Sequence, residues 1–524
     1  MKELFNFFKS DYFLLSTEDE FLNEYSHNSF KRLQFATGFT GSYGFALFSK
    51  TGENKLFVDG RYTLQAKLEI STENFTILPI EDLKPYLKNL GKTIAIDSKT
   101  TPYKFKIEGV EFEILEENPI DKIWNRETNI ECDISDFQLA GETKETKFVK
   151  VLQYLKNIDA DALFVFNPHD VCWLFNIRGN YLQNSPIVNS FAIISKEVQK
   201  LVPLNELSEI KFNKILVPNN ISLFCYNVLK ANCKEVIFEK EDFILNQKTI
   251  KTESEIECIK KAMEEDGKAL FEFEKWLKSA ILKNETEFTV GEKLLEFRKK
   301  QKGFVCESFP AIVGFAENGA IVHYKANEKT AKKINEQGLL LIDSGGQYYD
   351  EKLGICGTTD VTRVFAIGGM GTEEERRIYT LVLKGHIALA TAIFPEGTTG
   401  AGLDILARQF LYENGLNYNH GTGHGVGYFL SVHEGPIGIS KNYHTPLKEG
   451  MIISNEPGCY LENKFGIRFE NLILVKKHPH FKGFLCFETL TKAPIEKLLL
   501  DYEILTDKEI DWLTITNNSL TSSN

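Results

Sequence analysis

A chain of 524 residues exceeds what one hydrophobic core serves, so two to four domains are expected. Its 43% hydrophobic and 26% charged residues are an ordinary globular balance, which excludes a fibrous or wholly disordered chain. A net charge of -12, with acids spread along the sequence, excludes nucleic acid and anionic membrane as principal partners.

Residues 1–136 alternate short apolar runs, such as YGFALFS and KLFVDGRY, with helical stretches such as LKPYLKNL. That alternation predicts an α/β domain. Residues 137–248 alternate in the same way. KFVKVLQYLKNI reads as a helix and ALFVF as a buried strand, then WLFNIRG, SFAIIS, KILVP and EVIFE as strands. A second α/β domain is expected there, with no obvious identity to the first. From Lys251 the organisation changes. Thr252 with Glu255 forms a capping box before a helix whose apolar residues run from Ile256 to Leu277. Thr289 with Glu292 reads as a second box and Thr372 with Glu375 as a third. Between and after these helices lie the strand runs LLLIDSG, TDVTRVFAIG, MIISNEPG and IRFENLILV. Residues 249–515 are therefore expected to be α+β, helices on a mostly antiparallel sheet, with 516–524 a polar, disordered tail.

Nine cysteines stand apart with no CxxC pair, which points to a reducing, cytoplasmic compartment rather than a disulfide framework. The N-terminal stretch turns acidic early, and no run approaches the length of a membrane span, so neither a signal peptide nor a membrane helix is expected.

The stretch HGTGHGVGYFLSVHEGP holds three of the ten histidines, His420, His424 and His433. Gly421, Gly423, Gly425 and Gly427 would each cost about 1 kcal/mol in a helix. Alternate glycines suit a strand or loop that something approaches closely. His424 is then a candidate metal ligand, with His420 and His433 facing the same cavity.

Four acids sit among apolar or small residues: Asp343 in LLLIDSGG, Asp360 in GTTDVTR, Glu456 in ISNEPG and Glu470 in GIRFEN. Each alone reads as a strand-edge acid. Buried carboxylates are costly unless paired or metal-bound. Four of them with one glycine-flanked imidazole can hold two divalent cations, and such oxygen-rich ligation suits Mn, Fe, Co or Zn. In such two-metal sites a shared water becomes the nucleophile near neutral pH.

These motifs, together with GFTGSYGFALF, DVCWLFNIRGN, KQKGFVCESFPAIVGFAENGAIVHYK and FETLTKAPIEKLLLDYEILTDKEIDWL, resemble the aminopeptidase P family in its long, three-domain form. The resemblance implies two creatinase-N-like α/β domains and a pita-bread catalytic domain with a C-terminal extension. It implies a metallo-exopeptidase that releases the residue before proline at the second position. The implied ligands are Asp343, Asp360, His424, Glu456 and Glu470, with Asp360 and Glu470 bridging two ions. Manganese is expected, with zinc or cobalt as alternatives. The family's substrate-side histidines match His323, His420 and His433, and Glu456 matches its proton shuttle. Arg468 reads either as a partner of a ligand carboxylate or as a structural ion pair. The expected partners are Xaa-Pro peptides and a second copy of the chain. Asp343 and Asp360 lie further apart than is usual in the family. The extra residues fall in YYDEKLGICG, as expected if they lengthen the tip of a hairpin. The nearest alternative is an Xaa-Pro dipeptidase, which resembles this chain with one N-terminal domain only. A metal-free creatinase-like hydrolase and a non-catalytic peptide-binding module are further alternatives, and the complete ligand set argues against both.

Overall fold

The computed structural model describes residues 2–279 and 284–521. The chain divides into two compact units. One comprises Met1–Phe137 with Glu142–Ile244, the other Gln138–Gly141 with Leu245–Asn524. The segment 138–141, expected within the second α/β region, thus belongs with the C-terminal half. There Gly141 N donates to Glu255, and Leu139 O accepts from the Tyr428 hydroxyl.

The first unit contains two mixed sheets. The six-stranded sheet runs in the order Phe75–Pro79, Asn54–Val58, Gly44–Ser49, Tyr12–Ser16, Ile94–Asp97, Phe112–Leu115. The five-stranded sheet runs Gln199–Val202, Phe191–Ser195, Ala162–Val165, Lys214–Val217, Glu235–Phe238. In each, a strand early in the sequence (Tyr12–Ser16 or Ala162–Val165) pairs antiparallel on one side and parallel on the other. The two regions therefore share a strand plan that no sequence identity announces. Both central strands are apolar runs buried on both faces, as parallel pairing requires. One expected strand is different. Trp173, Leu174 and Phe175 end the helix Pro168–Phe175, and only Ile177–Gly179 is extended. Asn167 caps that helix through His169 N, and Pro168 occupies its first turn, a start signal that outweighs the apolar run.

Among the described strand pairs of the second unit, all are antiparallel. Its frame is two long hairpins. The first pairs Gly338–Ser344 with Val361–Ile367, and beyond a break Gly346–Asp350 with Ile355–Thr358. Ser344 faces Val361 before the break and Gln347 faces Thr358 after it, so the register does not slip. The second pairs Ile452–Asn455 with Asn471–Lys477, and beyond its break Gly458–Leu461 with Phe465–Arg468. Asn455 faces Asn471 and Gly458 faces Arg468, again without a slip. An isolated bridge between Thr362 and Glu470 ties the hairpins together.

Alternation along Leu339–Ile342 sorts the core. Leu340 and Ile342 pack with Leu270, Phe273, Leu277, Val290 and Leu294 of the helices Glu253–Ser279 and Glu287–Arg298. Leu339 and Leu341 pack with Ile378, Tyr379 and Val382 of the helix Glu373–Ala390 and with Ile467 and Phe469 of the second hairpin. The boxes Thr252/Glu255 and Thr372/Glu375 are formed. The expected Thr289/Glu292 box is not. Thr286 caps that helix, and the Thr289 hydroxyl takes the reciprocal bond that a glutamate normally accepts. The last helix spans Asp507–Thr521, so 516–521 continue it rather than forming a disordered tail, and 522–524 lie outside the described residues.

Candidate metal centre

The breaks in the two hairpins are where the acids gather. In the first, residues 345–346 face 359–360, and Asp360 stands in the gap between its two strand segments. Gly345 is what lets the strands close here. A Cβ on it would lie 2.0 Å from Thr359 O and 2.2 Å from Ser308 Oγ. Asp343 precedes the break on the same strand, opposite Thr362. In the second hairpin, residues 456–457 face 469–470, so Glu456 and Glu470 occupy the register position next beyond the Asn455–Asn471 pair. The Thr362–Glu470 bridge then sets the two breaks side by side, with Glu470 N donating to Thr362 O at 3.2 Å.

His424 enters from the short strand Gly423–His424, laid against Ile452–Asn455. Its amide donates to Ser454 Oγ at 3.0 Å, and Glu456 N donates to Thr422 O at 2.7 Å. The alternate glycines permit this approach. A Cβ at Gly423 would meet Ser454 O at 1.9 Å, and one at Gly425 would meet Glu434 O at 2.2 Å.

Asp360, His424 and Glu470 each offer a ligand atom within 4.8 Å of the others. His424 Nε2 lies 3.3 Å from Asp360 Oδ2 and 3.4 Å from Glu456 Oε1. Its Nδ1 donates to Gly425 O at 2.9 Å, which orients the ring and points Nε2 at the acids. Burial works against protonation of this ring, but Asp360 and Glu456 pull it up to about 9. A proton on Nε2 thus sits between two carboxylates, where a cation would fit. Burial, with the charges of Asp360, Glu456 and Asp343, drives Glu470 well above the usual carboxylate range. Burial likewise raises Asp343, to about 6, against the pull of Arg468. Burial also acts to raise Glu456, but His424, His420, Arg468 and His433 hold it below its ordinary value. Arg468 donates from Nη2 to Asp343 Oδ2 at 2.6 Å, while Asp343 Oδ1 is buried with no hydrogen-bond partner. Four crowded carboxylates and an orphaned carboxylate oxygen are what a site built for divalent cations presents without them.

The other histidines occupy different positions. His420 Nδ1 donates to Gly421 O at 2.8 Å, leaving Nε2 to accept from the Tyr460 hydroxyl at 2.8 Å. Burial lowers this ring to about 4, so it is neutral at pH 7. Tyr460 in turn receives Arg468 Nη1 at 2.8 Å. The His433 ring stands edge-on to His424 with centroids 4.4 Å apart. His323 is half-buried in the segment after the 3-10 helix Ala316–Ala320, which abuts the second hairpin at Gly319 and Gly466. Two further site residues, Tyr460 and Thr362, escape the sequence reading. The Thr362 hydroxyl donates to Glu470 Oε2 at 2.8 Å and accepts from Arg468 Nε at 3.1 Å. Thr362 lies inside GTTDVTR, and Tyr460 two residues beyond ISNEPG.

Comparisons with known proteins place the chain in a family. The profile of metallopeptidase family M24 matches residues 257–477, and that of the C-terminal region of peptidase M24 matches 483–519. The creatinase/prolidase N-terminal domain matches twice, over 9–114 and 125–287. A probable Xaa-Pro aminopeptidase P of Laccaria bicolor is 34% identical over 98% of this chain and 88% of its own. One from Fusarium vanettenii is 33% identical over 96% and 91%. Among solved structures, the X-prolyl aminopeptidase of Caenorhabditis elegans, described as a cytosolic enzyme with a di-nuclear active site, superposes with a TM-score of 0.88 at 26% identity, covering 98% of this chain and 91% of that one. The prolidase of Pyrococcus furiosus is also 26% identical but reaches a TM-score of 0.52 and covers 65% of this chain, and 99% of its own.

Proposed function

The chain belongs to the Xaa-Pro aminopeptidase P group of metallopeptidase family M24, and we propose that it removes the N-terminal residue from peptides with proline in second place. The observation that carries this reading is the mutual crowding of Asp343, Asp360, Glu456 and Glu470, with His424 set between Asp360 and Glu456. The aminopeptidase matches nearly the whole chain whereas the prolidase matches about two thirds of it, which favours an aminopeptidase over a dipeptidase.

In this reading Asp343, Asp360, His424, Glu456 and Glu470 would hold two divalent cations. Such a pair supplies Lewis acidity and a water acidic enough to attack near neutral pH. Glu456 would accept a proton from the attacking water on a carboxylate oxygen as the water oxygen bonds to the scissile carbonyl carbon, and would deliver it to the prolyl nitrogen as the C–N bond breaks. That nitrogen needs it, because it leaves as a neutral amine only once protonated. Neutral His420, whose one N–H is taken by Gly421 O and whose Nε2 accepts from Tyr460, lines the substrate side with His323 and His433, and the latter two orient the scissile carbonyl and stabilise its developing charge. Arg468 holds Asp343 in place.

Manganese is the proposed metal, because the donors are hard oxygens with one imidazole. A homodimer is proposed from the family resemblance, and a cytoplasmic location from nine cysteines that form no disulfide. Among the described residues no helix is long and apolar enough to cross a membrane. The test is elemental analysis of purified protein alongside hydrolysis of Xaa-Pro dipeptides and Xaa-Pro-Yaa peptides, with sedimentation for the oligomer. Two metals per chain, loss of activity on chelation and preference for the longer peptide are expected. Full activity with no bound metal overturns the reading.

A further inference from the structure

His433 has a neighbour that the reaction described above does not use. Glu434 is buried, and its carboxylate is gripped by two buried lysines. Lys251 Nζ lies 2.6 Å from Oε1 and Lys248 Nζ 3.4 Å from Oε2. Lys251 Nζ also donates to Lys248 O at 3.0 Å, and the Thr249 hydroxyl donates to Gly435 O at 3.3 Å. Three positions of one short segment thus seize two consecutive residues of the histidine loop.

That segment is itself anchored. Lys251 N donates to Gly450 O at 2.9 Å, and Ile250 bridges Met451, at the foot of the strand Ile452–Asn455 that leads to Glu456. On the other side, Glu434 N donates to Gly425 O at 2.8 Å and Gly425 N to Ile437 O at 3.0 Å, directly after His424. Glu434 therefore ties the loop carrying His433 to the same strand that presents Glu456 and supports His424. Burying one carboxylate with two ammonium groups costs several kcal/mol of desolvation per ion, and apolar side chains would hold a loop at lower cost. What an ion cluster adds is direction, since each charge fixes where its partner must stand.

We propose that Glu434, clamped by Lys248 and Lys251, is the positioning residue for His433, fixing the loop so that the imidazole stands edge-on to His424 when substrate is bound. This rests on the reading of His433 as a substrate-side histidine.

The test uses the full-length, metal-loaded enzyme and an Xaa-Pro-Yaa peptide. Glu434→Gln is expected to keep both metals and leave KM within about twofold, while kcat falls about tenfold to a hundredfold, the scale of a misplaced catalytic group. In a His433→Ala background the same change is expected to cost less than about twofold, because residues acting as a unit are not additive. A purely structural role predicts additive losses, and additive losses overturn the proposal. Should Glu434→Gln fail to fold, the triple variant Glu434→Leu/Lys248→Met/Lys251→Met removes all three charges. A recovered unfolding temperature with kcat still low supports positioning, and recovery of both overturns it. Full kcat in His433→Ala would overturn the reading of His433 and the proposal with it. An impaired His433→Ala with an additive Glu434→Gln would overturn the positioning role alone.

Discussion

The two hairpins of the C-terminal unit are built alike and broken differently. Each keeps a single register across an interruption of two residues per strand, and each delivers acids at that interruption. The first closes over a glycine: Gly345 lies so close to Thr359 and Ser308 that no side chain fits. The second has Glu456, Pro457, Phe469 and Glu470 in its gap, and Pro457 offers no amide to the ladder. It supplies two acids at facing positions where the first supplies one, with Asp343 set back on the strand. The second hairpin therefore depends more on its carboxylates, and the first on its backbone fit.

The largest effect should come from the acid at the junction. Glu470→Gln and His424→Ala are each expected to abolish turnover, with Glu470→Gln losing at least one metal, checked by peptide assay and elemental analysis. Glu470→Gln should also do something opposite to the metal-free protein. The folded-state pKa of Glu470 is raised, so its ionisation is unfavourable to folding above its unfolded value of about 4.3, increasingly so as pH rises. The metal-free variant should melt above the metal-free parent at pH 7, with the gap closing towards pH 4. A gap that does not change with pH would mean the four acids do not strain the empty site.

A smaller effect separates the two breaks. Gly345→Ala should destabilise by about 1–3 kcal/mol and weaken metal binding, because backbone oxygen blocks the new methyl and Asp360 must move with it. Gly458→Ala first meets the Tyr460 hydroxyl, at 2.6 Å, the far end of a side chain, though Ile467 O follows at 2.9 Å. It should retain metal and lose rate instead. Equal metal loss in both variants would erase the distinction drawn between the hairpins. Thr362→Val removes the hydroxyl shared by Glu470 and Arg468 and leaves the bridge intact. A stability loss of about 1–2 kcal/mol is expected by chemical denaturation.

Much of this frame is legible in sequence because its signals are local. Two capping boxes, the alternate glycines around His424 and the intact motifs around Asp343 and Asp360 each need only a few neighbouring residues. The Thr286 cap is hard to see because its reciprocal partner is a threonine rather than an acid. Trp173–Phe175 reads as strand because apolar runs carry no period of their own, and only the Asn167–Pro168 start signal marks the helix. What sequence does not show is pairing at long range. Lys251 and Glu434 lie 183 positions apart, and Arg468 and Asp343 125 apart, so no pattern in either segment names the other.

The smallest effect should lie at the tip of the first hairpin. Asp350 faces Ile355, and 351–354 make the turn, fastened by Leu353 N to Asp350 Oδ1 at 3.0 Å and by Lys261 Nζ to Leu353 O at 2.9 Å. The extra residues in YYDEKLGICG therefore lengthen both strands together, and the register at Asp343 and Asp360 is fixed below them by the ladder from Gly338 to Ser344. Loop-closure cost changes slowly with length. Replacing 351–354 with Asn-Gly, a pair suited to a two-residue hairpin turn, should leave metal content unchanged and kcat within about twofold, since the bonds lost lie at the surface. Loss of both metals would show that register is set from the tip rather than from the base. Intact metals with poorer turnover of long peptides alone would place the tip beside the path of the substrate.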